Sequence, residues 1–147
     1  MDEKRYVLVV TVDGPFVETL RKEIPQEDWG NVGYETISEA VGGLIDCVAF
    51  KTESGEWFDM WVNDEFLILP DLELNPIATA IMRNTNCPIQ VVLGNILIAK
   101  HDEEGYTTAM TEEQCSTVMN HIFDSVLGSI EDYEGDGEGE DDSPVCE

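Results

Sequence analysis

The apolar runs of this 147-residue chain are short, and turn signals separate them. The run from Tyr6 to Val12 ends at Asp13-Gly14-Pro15, after which Phe16 begins a second extended run. Short apolar runs bounded by glycine and proline are typical of β-strands, and these two predict a hairpin. Further strands are predicted at residues 44–52, 57–63 and 89–99, the last of them interrupted at Gly94-Asn95.

Three other segments carry helix signals. One covers residues 34–41, where apolar residues have helical spacing, and it ends at Gly42-Gly43. A second begins after Asn75, an N-cap residue that is followed by Pro76, and a third begins after Thr111 in a capping box. The buried stripe predicted for the third helix consists of Val118, Ile122, Phe123, Val126 and Ile130.

These elements predict an α+β fold. We expect a small mixed or antiparallel sheet with about three helices that cover one of its faces. Residues 1–130 are predicted to form a single domain. Residues 131–147 contain nine acids and no base, with glycines alternating with acids, so we expect a disordered acidic C-terminal tail.

The chain is strongly acidic. It has 32 Asp and Glu against 7 Lys and Arg, which gives a formal net charge of −25. Without the tail, 23 acids face 7 bases, so the predicted domain carries −16 by itself. A body of this charge repels nucleic acid and anionic lipid surfaces, and we expect it to bind neither. Basic proteins, cations and neutral ligands are the partners that its charge allows.

The sequence favours a cytoplasmic protein. No apolar run approaches the ~20 residues that cross a bilayer, and the start of the chain lacks the pattern of a signal peptide. The four cysteines lie far apart, without the paired spacing of a disulfide framework or a zinc site. We therefore expect reduced thiols.

Catalytic motifs are not evident. His101 lies beside an acidic run and His121 next to the apolar stripe of the last helix, and no Ser or Cys motif accompanies either. We interpret both as surface or boundary histidines and predict no enzyme activity, no cofactor and no metal site. The alternative is a magnesium or acid–base site where Asp59, Asp64 and Glu65 converge at one strand end.

Aromatic residues are densest between Trp57 and Phe66, and Trp57 and Trp61 share one face of a predicted strand. Core packing explains such a pair most simply. A stacking platform for a base or peptide, or an oligomer interface, are the alternatives. The candidate ligand or partner surface consists of Trp57, Asp59, Trp61, Asn63, Asp64, Asn75 and Asn95.

Four short segments, in their order and spacing, resemble the domain of unknown function family DUF3846. They are Glu39-Ala40-Val41-Gly42-Gly43-Leu44-Ile45, Trp61-Val62-Asn63-Asp64-Glu65, Leu74-Asn75-Pro76-Ile77-Ala78-Thr79 and Val92-Leu93-Gly94-Asn95-Ile96-Leu97-Ile98. The resemblance covers about residues 5 to 100 and leaves out the last helix and the tail. It implies a small α+β domain in a phage or mobile-element context, and it implies no reaction.

Two functional hypotheses follow. The first is a non-enzymatic interaction module that binds a basic host or phage protein, with its carboxylates standing in for DNA phosphates in the case of DNA mimicry. The second is a small-ligand-binding domain that uses the Trp-lined surface, alone or as an oligomer. Exposed acids expected to serve the first are Glu23, Glu27, Asp28, Glu103, Glu104, Glu112 and Glu113.

Overall fold

The computed structural model describes residues 3–65, 71–85 and 91–134. Within them lie six strands, three α-helices and a short 3-10 helix at Gln26–Asp28, which confirms the α+β prediction. The strands are β1 Arg5–Asp13, β2 Phe16–Ile24, β3 Ile45–Lys51, β4 Trp57–Asn63, β5 Ile96–His101 and β6 Thr107–Thr108. The helices are α1 Tyr34–Val41, α2 Pro76–Arg83 and α3 Glu112–Glu134.

The strands form one sheet in the order β2-β1-β5-β4-β3, and β6 pairs with the end of β5. Every pair is antiparallel. The predicted hairpin of β1 and β2 is present, and Gly14 adopts a φ of 63° in its turn, a conformation that glycine tolerates best. This order places β2 and β3 at the two edges of the sheet.

Helices pack on both faces of the sheet, so the expectation that they cover one face is wrong. Alternation along β5 explains the arrangement, because Ile96 and Ile98 join a core with α2 and α3, whereas Leu97 and Ala99 join a second core. The second core includes Ile37 and Val41 of α1. A sheet that buries both faces needs apolar residues at successive positions of its central strands.

Strand β5 is shorter than the predicted strand at residues 89–99. It begins at Ile96, directly after Gly94 and Asn95, and Gly94 has a φ of 89°. That left-handed backbone ends the extended conformation at the position where the sequence predicted an interruption. Leu93 forms an isolated antiparallel bridge with Leu74, and residues 86–90 lie outside the described residues.

The capping box of α3 is confirmed. The Gln114 N–H donates to Thr111 Oγ1 at 3.1 Å, and the Thr111 N–H donates to Gln114 Oε1 at 2.9 Å. Val118 and Ile122 are buried as predicted, but Phe123 is 63% exposed and does not belong to the buried stripe.

Helix α3 continues to Glu134, which is four residues beyond the domain boundary expected at residue 130. Residues 135–147 lie outside the described residues, so the disordered tail stays a prediction. In the described part of the chain, no helix is both long enough and apolar enough to span a bilayer.

Asn75 makes buried hydrogen bonds that join the start of α2 to the segment before β5, so its substitution tests this part of the fold. Its Oδ1 caps α2 by accepting from the Ala78 N–H at 3.0 Å, and its Nδ2 donates to the Gly94 carbonyl at 2.8 Å. We expect Asn75→Ala to lower the free energy of unfolding by about 2–4 kcal/mol, because a helix cap and a buried partner are lost together. Denaturant titration followed by circular dichroism measures the change.

Thr111→Ala is the matched control, since it removes the cap of α3 at a partly exposed site. We expect this change to cost about 1 kcal/mol. Equal losses for the two variants would contradict the structural role assigned to Asn75.

Candidate functional site

The sheet face on the side of α1 contains a set of polar and aromatic side chains that we call the Asp59 face. Across the sheet, Asp59 pairs with Ala49 on one side and Ala99 on the other, and Trp61 pairs with Cys47 and Leu97. Successive odd-numbered residues of these strands point to the same face. The Asp59 face consists of Cys47, Ala49, Lys51, Trp57, Asp59, Trp61, Ala99 and His101.

Helix α1 covers part of this face and leaves the rest open. Trp61 packs against the core that includes α1, and its indole N–H is buried without a hydrogen-bond partner. Trp57 is 50% exposed, and Cys47, Ala49 and Lys51 are exposed as well. The half of the Asp59 face next to β3 is therefore accessible to a ligand or partner.

Asp59 forms the chemical centre of this face. Its side chain is 7% exposed, and its Oδ2 lies 2.9 Å from Nδ1 of His101, whose side chain is 46% exposed. A carboxylate only accepts hydrogen bonds, so Nδ1 is the donor in this pair and Nε2 is the ring nitrogen left for an outside group. This arrangement presents a hydrogen-bonding imidazole edge beside the Trp57 ring.

The surroundings of Cys47 disfavour its thiolate form, although the side chain is exposed on the sheet. Desolvation by the surrounding protein raises its pKa to about 12, and the negative charges of Asp59 and Asp46 and a hydrogen bond to Asp59 add to the effect. Only the thiolate is an effective nucleophile. Cys47 and His101 both interact with Asp59, and this arrangement differs from a Cys–His pair in which the imidazole activates the sulfur.

The three acids proposed as an alternative metal or acid–base site do not converge. Asp59 lies within β4 and is buried, whereas Asp64 and Glu65 lie beyond the end of the strand and are exposed. The strand rise places Asp59 and Asp64 roughly 16 Å apart. Among the described residues, no group of three or more His, Cys, Asp and Glu side chains is arranged to hold a metal ion.

The three asparagines of the candidate surface organise loops. Asn63 Oδ1 accepts from the Glu65 N–H at 2.8 Å after β4, and Asn95 Oδ1 accepts from the Val12 N–H at 2.9 Å beside the first hairpin. Asn75 is fully buried at the start of α2. The structure thus brings Trp57, Asp59 and Trp61 together. Asn63 lies on the same face but is buried against Gly43 at the closed end of β4, and Asn75 and Asn95 lie elsewhere.

His121 lies in the core and not at the surface or boundary, so that expectation is wrong. It is 3% exposed and stacks on Phe50 with ring centroids 5.2 Å apart. Its Nδ1 lies 3.5 Å from Glu53 Oε1, and its Nε2 is buried without a hydrogen-bond partner. No local pattern predicts this position, because Phe50 and Glu53 are distant from His121 in the chain.

Most of the few cations of the chain have partners within it. Lys4 pairs with Glu23, Arg5 with Glu3, Arg21 with Glu112 and Lys100 with Glu56, at distances from 2.8 to 4.0 Å. Four cations lie over aromatic rings at 4.8–5.8 Å from the centroids: Arg5 over Trp29, Arg21 over Tyr6, Lys51 over Trp57 and Lys100 over Phe58. At least five of the seven cations are thus held by the chain's own acids and rings.

An antiparallel α+β domain with this element order is the class that the fold defines. The family model described as "Domain of unknown function (DUF3846)" matches residues 4–123, most of the chain, and the protein belongs to that family. The match extends into α3, which the resemblance in the sequence had left out. No curated protein and no solved structure matches the chain.

The reactivity of Cys47 tests the environment of Asp59. At pH 8, where an unfolded cysteine with a pKa near 9.0 is partly ionised, we expect folded Cys47 to react with iodoacetamide at least ~100-fold more slowly than the same residue in urea. Asp59→Asn removes a negative charge from beside the sulfur and is expected to accelerate the reaction. Peptide mapping by mass spectrometry measures the rate at each cysteine.

The raised pKa of Cys47 also makes the stability of the fold depend on pH. Because folding raises the pKa of Cys47 from 9.0 to about 12, its contribution to stability is complete below pH 9 and is lost as the pH rises towards 12. Equal alkylation rates in the folded and urea-unfolded protein at pH 8 would contradict the assignment.

Proposed function

We propose that this protein is a non-enzymatic interaction module that binds a cation-rich protein. The observation that supports it best is that at least five of the seven Lys and Arg side chains have partners within the chain, while the body keeps an excess of acids. A surface of this kind attracts positively charged partners over several ångströms and repels nucleic acid.

Exposed acids give this surface its chemistry. All seven acids that the sequence suggested are exposed in the structure: Glu23, Glu27, Asp28, Glu103, Glu104, Glu112 and Glu113. Glu103 and Glu104 lie in the turn between β5 and β6, and Glu112 and Glu113 begin α3. When the partner is a DNA-binding protein, such carboxylates take the places of backbone phosphates, so DNA mimicry is a special case of the proposal.

A phage or mobile-element setting and action in the host cytoplasm belong to the same proposal. Both come from the family resemblance, since a phage-encoded protein that binds host proteins acts inside the host cell.

The salt dependence of binding tests this function. The immobilised full-length protein is used to capture proteins from a host lysate, and each captured protein is then purified and titrated. We expect the affinity of each captured protein for the full-length chain to fall steeply between ~0.05 and ~0.5 M salt, because binding depends on exposed charges. The double variants Glu103→Gln/Glu104→Gln and Glu112→Gln/Glu113→Gln are each expected to weaken it, whereas Asn84→Ala, which removes no charge, is the control.

Two outcomes would overturn the proposal. One is a captured partner whose affinity is independent of salt and of all four glutamates. The other is tight retention of a duplex or single-stranded oligonucleotide by the purified protein, because a strongly anionic surface is a poor ligand for it. If duplex DNA competes with this protein for the captured partner, the result favours DNA mimicry over other modes of binding.

Small-ligand binding at the Asp59 face is a second candidate function. The observation in its favour is the half-exposed Trp57 ring beside the Asp59–His101 pair. A planar neutral ligand can stack on such a ring and bond to the free edge of the imidazole.

Adenosine is the probe for this second function, since it combines a stacking ring with hydrogen-bonding groups and carries no phosphate. Under this function, adenosine is expected to quench tryptophan fluorescence saturably, and Trp57→Phe, which leaves Trp29 and Trp61, is expected to remove most of the change. Quenching that stays linear in adenosine concentration, as collisional quenching does, would count against a binding site.

A further inference from the structure

We infer that the outer edge of β3 is a docking site for an extended, lysine- or arginine-rich segment of the partner, which adds to the sheet as a strand. The inference rests on the proposed function and names the part of the domain that determines how the partner is aligned. Addition of a strand to an exposed sheet edge is a common mode of peptide recognition.

The two edges of the sheet differ in their charge. Strand β2 carries Glu18, Arg21, Lys22 and Glu23 among its nine residues, whereas β3 carries Asp46 and Lys51 among its seven. Charged side chains on an edge strand discourage pairing with other chains. In the described ranges no strand pairs with the outer side of β3, so its edge is the less protected of the two.

Hydrogen bonds show which backbone groups of β3 point outward. The Cys47 N–H donates to the Asp46 side chain at 2.8 Å, and so it is not part of the ladder with β4. At the two ends of the hairpin, the Leu44 carbonyl and the Thr52 N–H bond inward. Because these groups alternate in direction along a strand, the peptide groups of Cys47, Ala49 and Lys51 point outward.

The outward positions also have small, exposed side chains on the Asp59 face. Cys47 and Ala49 leave room above the sheet, and the next strand presents Trp57, which is 50% exposed. A long cationic side chain on an added strand reaches over Ala49 to the Trp57 ring. Lys51 places its own ammonium group 5.8 Å from the centroid of that ring, so an incoming cation shares the ring with Lys51.

Charge decides between the two possible occupants of this edge. A second copy would pair β3 with itself and bring together two chains of charge −25. A basic segment instead meets Asp46 near one end of the strand and Lys51 at the other, and the field of an acidic body draws it in. The geometry therefore points to a partner segment of opposite charge.

The test uses a short fluorescent peptide in which lysine and valine alternate, titrated against the full-length protein. The control peptide has the same residues with every backbone amide N-methylated, which keeps the charge and removes the donors of a strand. We expect the first peptide to bind and the methylated peptide to bind at least about tenfold more weakly, because main-chain hydrogen bonds supply affinity in this mode.

Two charge-matched variants locate the site. Ala49→Arg adds a cation beside the β3 edge, and Leu20→Arg adds the same charge at an exposed position on β2. We expect roughly a tenfold loss of peptide affinity for Ala49→Arg and a loss of about twofold for Leu20→Arg. Hydrogen exchange in the wild type is an independent readout that needs no variant, and the peptide is expected to slow the Ala49 and Lys51 amides and none in β2.

Each contrary outcome has a defined meaning. If both peptides bind equally and both variants weaken binding equally, the edge is not the site, although the proposed function stands. If neither peptide binds while a natural partner is still captured in a salt-dependent way, the edge inference alone fails. If Ala49 is protected without peptide and sedimentation shows a dimer, the occupant is a second copy and the inference is overturned.

Discussion

Burial of β5 on both faces is the constraint on which the rest of the structure depends. Ile96, Leu97, Ile98 and Ala99 are each fully buried, and they alternate between the two cores. β5 also pairs with β1 on one side and β4 on the other, so it joins the two hairpins of the sheet. Because four successive apolar positions must find partners above and below, a helix is needed on each face, and α1 together with the α2–α3 pair meets that need.

Local sequence signals predicted the helices and strands, but they did not predict features that depend on contacts between residues distant in the chain. The Asn75–Pro76 start of α2 and the Thr111 capping box depend on neighbouring residues, and both were predicted correctly. The two-sided cover of the sheet was missed, because the side on which α1 packs is decided by strand order and not by residues 34–41. Phe123 was wrongly predicted to be buried for a related reason. Helical spacing alone does not indicate which part of a helix face the sheet covers.

The candidate site shows the same division. Period-two alternation placed Trp57, Asp59 and Trp61 on one face, and the structure agrees. The Asp59–His101 pair joins residues 42 positions apart, and it follows only from the β4–β5 register, in which Asp59 faces Ala99. The same register places Cys47 beside Trp61 through β3, where desolvation and then the charge of Asp59 raise the pKa of the thiol. The alignment of β3, β4 and β5 is the signal that predicts how Asp59, His101 and Cys47 come together, and no local pattern contains it.

Electrostatics and strand pairing make different contributions to a binding surface of this kind. An excess of acids accelerates encounter with a basic partner, but it sets neither direction nor register, because exposed charges act over distance and are screened by salt. Backbone hydrogen bonds at an edge set both, since a shift by one residue turns every side chain to the opposite face. Lys51 lies over the Trp57 ring and Lys100 pairs with Glu56, so both lysines have partners within the chain. Under the proposed function, the acidic body and the weakly charged β3 edge act as complementary parts of one recognition surface, in which the charge selects the partner and the edge aligns it.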